Sequence, residues 1–220
     1  MCIPILIIGK SGSGKSTALR NLDPSRVALI NVLGKPLPFK WKFAQMISDD
    51  YEKIKSKIVA LKNQKERDIV VIDDAGYLLT NMFMRNHSSA GAGNGVFSLY
   101  NKIGDEFWSL IQTIVATPGN ARVYINMHED TSDFGDIKPK TIGKMLDEKV
   151  CVEGMFTICL RCTISNGRHV YKTHSNGADV AKTPIGMFEQ DEIDNDLALV
   201  DEAICEYYGI ETGGQHEQTA

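Results

Sequence analysis

The stretch Gly9-Lys10-Ser11-Gly12-Ser13-Gly14-Lys15-Ser16-Thr17 reads G-x-x-x-x-G-K-S/T, the signature of a phosphate-binding loop. Such a loop works when a strand delivers it and a helix receives the phosphates at its positive N-terminal end. Both flanks fit. Ile3 to Ile8 is a short apolar, β-branched run suited to a strand buried on both faces, and Ala18, Leu19, Asn21 and Leu22 can continue a helix. Pro4 stands near the start of that strand, where a missing N–H is tolerated.

The residue types supply the chemistry. Gly9, Gly12 and Gly14 let the backbone turn tightly, so that the N–H groups between Lys10, Ser11, Ser13 and Lys15 can point at phosphate oxygens. Lys15 is expected to reach the β- and γ-phosphates, Ser16 to place its hydroxyl on Mg²⁺, and Thr17 or a nearby N–H to meet the α-phosphate. ATP with Mg²⁺ is the expected ligand pair.

A second motif, Ile69-Val70-Val71-Ile72-Asp73-Asp74, ends a run of four β-branched residues in two acids. An acid at the C-terminal end of a parallel strand sits where ligands bind, and below a phosphate loop Asp73 becomes the Mg²⁺ carboxylate. Asp74 reads either as the general base for an attacking water or as a cap for the segment that follows. A further strand, Ala121 to Met127, runs into His128-Glu129-Asp130, which makes His128, with Asn126 beside it, a candidate sensor of the γ-phosphate.

Composition bounds the answer. At 220 residues the chain is read as one domain over residues 1–212 with a frayed tail at 213–220. Hydrophobic content of 43% and charged content of 24% exclude general disorder, and no apolar run reaches the roughly 18 residues needed for a membrane span. The chain opens on its first core strand without the flanks of a signal peptide, so the cytoplasm is the expected compartment, and five cysteines without framework spacing agree. The net charge of −4 argues against a general polyanion binder but leaves room for a local basic groove.

Elsewhere, Val27 to Val32 reads as a core strand stopped by Gly34, Pro36 and Pro38. Residues 35–43 interleave Lys, Phe and Trp, with Trp41 and Phe43 either stacking on a base or packing on the domain. Asp49 with Glu52 resembles a capping box ahead of a helix through Tyr51, Ile54, Ile58 and Leu61, whose lysines at 53, 55, 57, 62 and 65 form a solvated face or a phosphate-facing stripe. Residues 80–95 carry glycine-rich turns and read as a mobile loop, and residues 129–141 as another polar loop. Leu99, Tyr100, Ile103, Phe107, Leu110, Ile111 and Ile114 share one helix face. Met155–Ile164 and His169–Thr173 flank Ser165-Asn166-Gly167-Arg168 as an antiparallel hairpin. Cys159 and Cys162 have metal-knuckle spacing, but on a strand residues three apart face opposite ways. A last amphipathic helix runs through Leu197, Val200, Ile204 and Tyr207 to Gly209.

The fold class that follows is α/β, a P-loop NTPase with a mainly parallel sheet flanked by helices and a C-terminal antiparallel hairpin. In this order of motifs the chain resembles the RecA-like core of small phage nucleotide-binding proteins that act as single-strand DNA annealing proteins or recombinases. Further echoes are Ile142-Gly143-Lys144-Met145-Leu146-Asp147, Val152-Glu153-Gly154, Pro184-Ile185-Gly186-Met187-Phe188 and Asn195-Asp196. The resemblance implies single-stranded DNA as partner, with the loops at 80–95 and 129–141 as contact segments and Arg85, Asn94, Lys138 and Lys140 as candidate residues. It implies assembly into a ring or short filament in which a basic residue, Lys144 first, reaches a neighbour's nucleotide. A single-strand-binding protein as helper and a host cytoplasm complete the expectation. Two departures stand out. Val27 to Val32 ends without the Glu that recombinases place on the strand next to the phosphate-loop strand, which implies slow hydrolysis, and no N-terminal oligomerisation arm precedes Gly9. The rivals are a small nucleoside or nucleotide kinase, against which the seven scattered arginines count, and an ATP-switched accessory protein without a DNA role.

Overall fold

The computed structural model describes residues 1–40, 43–61, 67–91, 93–132 and 134–211. Trp41, Lys62, Lys65 and the 213–220 tail lie outside the described residues. Among the described residues nine strands make one sheet: β1 (Ile3–Gly9), β2 (Val27–Asn31), β3 (Gln45–Ile47), β4 (Ile69–Asp73), β5 (Arg122–Thr131), β6 (Ile137–Pro139), β7 (Ile158–Ser165), β8 (Arg168–Lys172) and β9 (Glu192–Asp194). Their order is β3-β2-β4-β5-β1-β7-β8-β9, with β6 paired to the outer end of β5. The six strands from β3 to β7 in that order run parallel, while β8 and β9 add antiparallel pairs.

The β-branched runs become central strands because both of their faces are covered. Every residue of β2 and β4 is buried. Leu6, Ile8, Ile30, Ile72 and Ile125 face three helices, α1 (Tyr51–Leu61), α2 (Gly76–Asn86) and α3 (Asn94–Ala116). Ile5, Ile7, Leu29, Val71 and Tyr124 face α4 (Leu197–Tyr208) and the turn after the phosphate loop. Each such side chain contributes about 1.5–3 kcal/mol of apolar burial, so two cores clamp the sheet and hold its carboxyl edge rigid. Pro4 pairs only with β5, since the pairing of β1 with β7 begins at Ile5.

The hairpin of β7 and β8 closes through Asn166 and Gly167, both at positive φ (50° and 76°), the geometry of a type I′ turn. Cys159 packs with the α1–α3 core and Cys162 with the α4 core, so their thiols lie on opposite faces. Phe43 is buried and meets Phe39 edge-on at 6.2 Å.

Four expectations need correction. Residues 80–86 are the second half of α2, not loop: Leu78, Leu79, Met82 and Phe83 form an apolar stripe that packs on the core. Asn94 accordingly begins α3. Residues 129–141 are largely a hairpin, with Glu129, Asp130 and Thr131 opposite Pro139, Lys138 and Ile137. The cap of α1 is Asp50, whose Oδ1 accepts from the N–H groups of Glu52 (3.0 Å) and Lys53 (3.1 Å), while Asp49 turns to Asn81 and Arg85 of α2. β2 lies beside β4, whereas the neighbours of the phosphate-loop strand are β5 and β7.

At the amino edge of the sheet, opposite the phosphate loop, Arg122 is fully buried. Its Nε and Nη2 donate to Asp201 of α4 at 2.8 Å each, and Nη2 also donates to Asp68 at 2.9 Å. Arg26 joins Asp68 at 2.7 Å, and the Tyr124 hydroxyl donates to Asp201 at 2.7 Å. Burial pushes the Asp68 carboxyl up, but the bonds from Arg26 and the Arg122 charge outweigh it and hold it below its ordinary value. Among the described residues no helix is long and apolar enough to cross a membrane.

Candidate nucleotide site

β1 delivers the loop from between β5 and β7, and the loop is shaped by what surrounds it. A Cβ on Gly9 would collide with the Cys162 carbonyl and the Ser13 hydroxyl. Gly14, at φ 108°, approaches Asn195 and His169 so closely that a Cβ would lie 2.8 Å from Asn195 Oδ1. Behind the loop, the Ser13 carbonyl accepts from Cys162 Sγ (3.1 Å) and His169 Nδ1 (2.7 Å), and Asn195 Nδ2 donates to Cys162 Sγ (3.1 Å). A carbonyl can only accept, so His169 carries its proton on Nδ1. With the Ser13 carbonyl held from behind, the Gly14 N–H of the same trans peptide points the other way, toward the phosphate side.

The helix expected after the loop is only a five-residue 3-10 turn, Thr17–Asn21. Pro24 lies two residues beyond Leu22, and Leu22 is already extended (φ −67°, ψ 142°). A turn this short has little macrodipole, so the loop N–H groups and Lys15 must supply most of the anion binding. Lys15 is buried, and its Nζ donates to the Gly9 and Lys10 carbonyls at 2.7 and 2.9 Å, inside the loop it would leave to meet phosphate. Burial holds its pKa below the ordinary lysine value.

Because β5 separates β1 from β4, three strand ends converge. Ser16 Oγ donates to Asp73 Oδ2 at 2.8 Å, and Asn126 Nδ2 donates to Asp73 Oδ1 at 2.8 Å. Burial raises the Asp73 pKa despite those two bonds, and Asp74 next to it adds to the rise. Asn126 Oδ1 and the Ser13 hydroxyl are buried without a hydrogen-bond partner, which is costly unless a ligand or its water supplies one. Asp74 does not cap α2, whose N-cap is Ala75 without a side-chain bond. It sits at φ 59° with its carboxylate 2.6 Å from Lys35 Nζ. His128 lies opposite Gly9 in register and meets the Tyr77 ring edge-on at 6.0 Å. Burial, reinforced by the Lys15 charge, lowers its pKa, so His128 is neutral near pH 7.

Beside this cluster opens a cleft of about 620 Å³, lined among others by Lys10, Ser11, Tyr77, Thr80, His128 and Lys140. Glu129, also on its wall, is held by Arg161 through two bonds of 2.9 and 3.2 Å. The site candidates thus divide. Lys15, Ser16, Asp73, Asp74, Asn126 and His128 gather at one edge with the whole loop from Gly9 to Thr17. Lys140 reaches the cleft, and Lys138 lies on β6. Arg85 is engaged by Asp49, Asn94 starts α3, and Lys144 is 88% exposed with Glu148 3.9 Å away. Lys35 and the His169–Cys162 support were missed as parts of this site: the sequence marked Lys35 only as the start of the 35–43 stretch and Cys162 only by its spacing from Cys159.

The oxygen donors suit a hard cation: Mg²⁺ is held by one or two protein oxygens plus phosphates and water. Among the described residues no group of three or more acids, histidines or cysteines is poised to hold a metal by itself, and Ser16 with Asp73 meets the smaller requirement. Residues 2–185 match the model of a protein family described as an AAA domain. No curated protein matches the chain.

Proposed function

The chain belongs to the AAA domain family, and from that premise we propose that this nucleotide-binding P-loop protein uses Mg²⁺–ATP to bind single-stranded DNA and promote its annealing or pairing. Ser16 and Asp73 would hold Mg²⁺, which neutralises phosphate charge when bound. Lys15 would exchange its two loop carbonyls for phosphate oxygens. Asp74, whose carboxylate is held by Lys35 in the nucleotide-free site, would orient the attacking water.

The observation that carries the DNA half is the course of β5. Asn126 grips Asp73, His128 stands opposite Gly9, and from the next residue, Glu129, the same strand pairs in the hairpin whose return bears Lys138, with Lys140 just beyond it. The Lys140 N–H donates to the His128 carbonyl at 2.7 Å. A shift at the γ-phosphate end is thereby passed to two lysines through one strand. Phe134 at the hairpin tip is 94% exposed and offers a stacking face for a base, while the lysines offer phosphate contacts. Arg85 and Asn94 take second place, being bound up in helices. A ring or short filament with Lys144 at the neighbour's nucleotide, and a single-strand-binding protein as helper, belong to the same proposal.

The test is fluorescence anisotropy of a labelled single-stranded oligonucleotide with ATP, with ADP and without nucleotide, at two salt concentrations. ATP-dependent binding that weakens with salt is expected, and its absence at low salt would remove the DNA half. Phosphorylation of an added nucleoside would instead establish the kinase.

A further inference from the structure

We infer that Lys35 is a second γ-phosphate-contacting cation, supplied from the turn after β2, by which the site distinguishes ATP from ADP. The inference rests on the nucleotide-binding reading and is independent of DNA.

The turn is built to present this one side chain. Asn31, the last residue of β2, lies opposite Asp73 in register and is 4% exposed. Its Nδ2 donates to the Lys35 carbonyl at 2.7 Å, and its Oδ1 accepts the Gly34 N–H at 2.8 Å. Gly34 takes φ 68°, which a side chain would strain, and a Cβ there would press on Ile47 at 3.1 Å. Pro36 fixes the next φ. A buried amide is thus committed to holding Gly34 and Lys35, yet the Lys35 side chain is itself 59% exposed. An exposed lysine on a carboxylate adds little to stability, so stability does not account for the anchoring.

Position does. Lys35 Nζ lies 2.6 Å from Asp74 Oδ2, one residue beyond the Mg²⁺ carboxylate, at the strand end where Ser16, Asp73 and Asn126 converge. The hydrogen bond to Asp74 keeps its pKa above the ordinary lysine value, so it is charged. Its flexible stem can carry the ammonium from Asp74 to a nearby phosphoryl group. With ADP the Lys35–Asp74 pair stays closed. With ATP, Lys35 turns to the terminal phosphate, and Asp74 Oδ2 is freed to accept from a water.

Competition binding tests this on the full chain with Mg²⁺, using a fluorescent ADP displaced by ADP or by a non-hydrolysable ATP analogue, for wild type, Lys35→Met and Lys35→Gln. The glutamine keeps a donor for Asp74 and so protects the fold, which thermal melts of both variants monitor. Both variants are expected to weaken the analogue about tenfold while ADP stays within about twofold. Equal weakening of the two nucleotides, or no change in either, overturns the inference. Failure of wild type to bind either nucleotide would bring down the nucleotide reading itself, a result plainly different from lost discrimination.

Discussion

Two buried polar clusters occupy opposite edges of the same sheet, and they are finished differently. At the amino edge Arg122, Asp201, Asp68, Arg26 and Tyr124 form a closed network, in which two guanidinium groups and a hydroxyl meet two carboxylates. At the carboxyl edge Asn126 Oδ1 and the Ser13 hydroxyl are orphaned, two acids stand side by side, and Asp74 holds a left-handed backbone conformation. Both edges carry buried charge, so burial alone does not mark function. What separates the two clusters is that one satisfies itself, while the other leaves polar atoms for a ligand to complete.

The largest effect should come from breaking the closed edge. Arg122→Met takes from Asp201, which is 2% exposed, both of its 2.8 Å guanidinium bonds and leaves it the Tyr124 hydroxyl and a longer contact to Arg26 (3.4 Å), so it should cost about 3 kcal/mol in urea unfolding, the lower end for breaking a buried pair. If the loss stays below about 1 kcal/mol, the network is not the structural one described. At the open edge Lys15→Ala should leave the melting temperature near wild type while nucleotide affinity falls about 100-fold or more. Retained affinity in calorimetry would contradict it. A smaller change is expected from His169→Ala, which releases one bond behind Ser13: nucleotide binding should weaken about fivefold, on the order of 1 kcal/mol. An unchanged Kd would show that Cys162 holds the carbonyl alone.

The smallest effect is a difference in sign with pH. Asp73, with a raised folded pKa, contributes stability that is full below its unfolded value near 3.8 and is lost as pH rises through the folded value. Asp68, with a lowered folded pKa, contributes stability present above 3.8 and lost as pH falls through its folded value. In melts of the nucleotide-free protein from about pH 4 to 7.5, Asp73→Asn should therefore be at least as stable as wild type at neutrality, with a gain that shrinks on acidification. Asp68→Asn should be less stable at neutrality. The same sign for both would erase the distinction between the edges.

What the sequence disclosed followed from how local each feature is. The loop from Gly9 to Thr17 and the strand ending at Asp73 are contiguous patterns, and the parallel sheet with its Asn166-Gly167 hairpin was legible from β-branched runs and turn residues. Asn126 and His128 were visible as polar residues ending a buried strand, but the bond from Asn126 to Asp73 needs the order of strands. The α2 helix was hidden because its apolar stripe begins at Leu78, ahead of a glycine-rich segment that dominates the window. β6 is three residues with a proline, too short to show alternation. Lys35 was legible only as the first residue of the 35–43 stretch and not as part of this edge, since its aim depends on a side chain four residues earlier folding back onto its carbonyl.

The most direct measurement is calorimetric titration of ATP, with Mg²⁺ and with chelator, into wild type and Asp73→Asn, alongside their melting temperatures without nucleotide. An open edge built around Mg²⁺–nucleotide predicts that wild type binds more tightly with Mg²⁺, and that Asp73→Asn loses this Mg²⁺ advantage without losing stability. An Asp73→Asn protein that is destabilised like Arg122→Met yet keeps the Mg²⁺ advantage would contradict it.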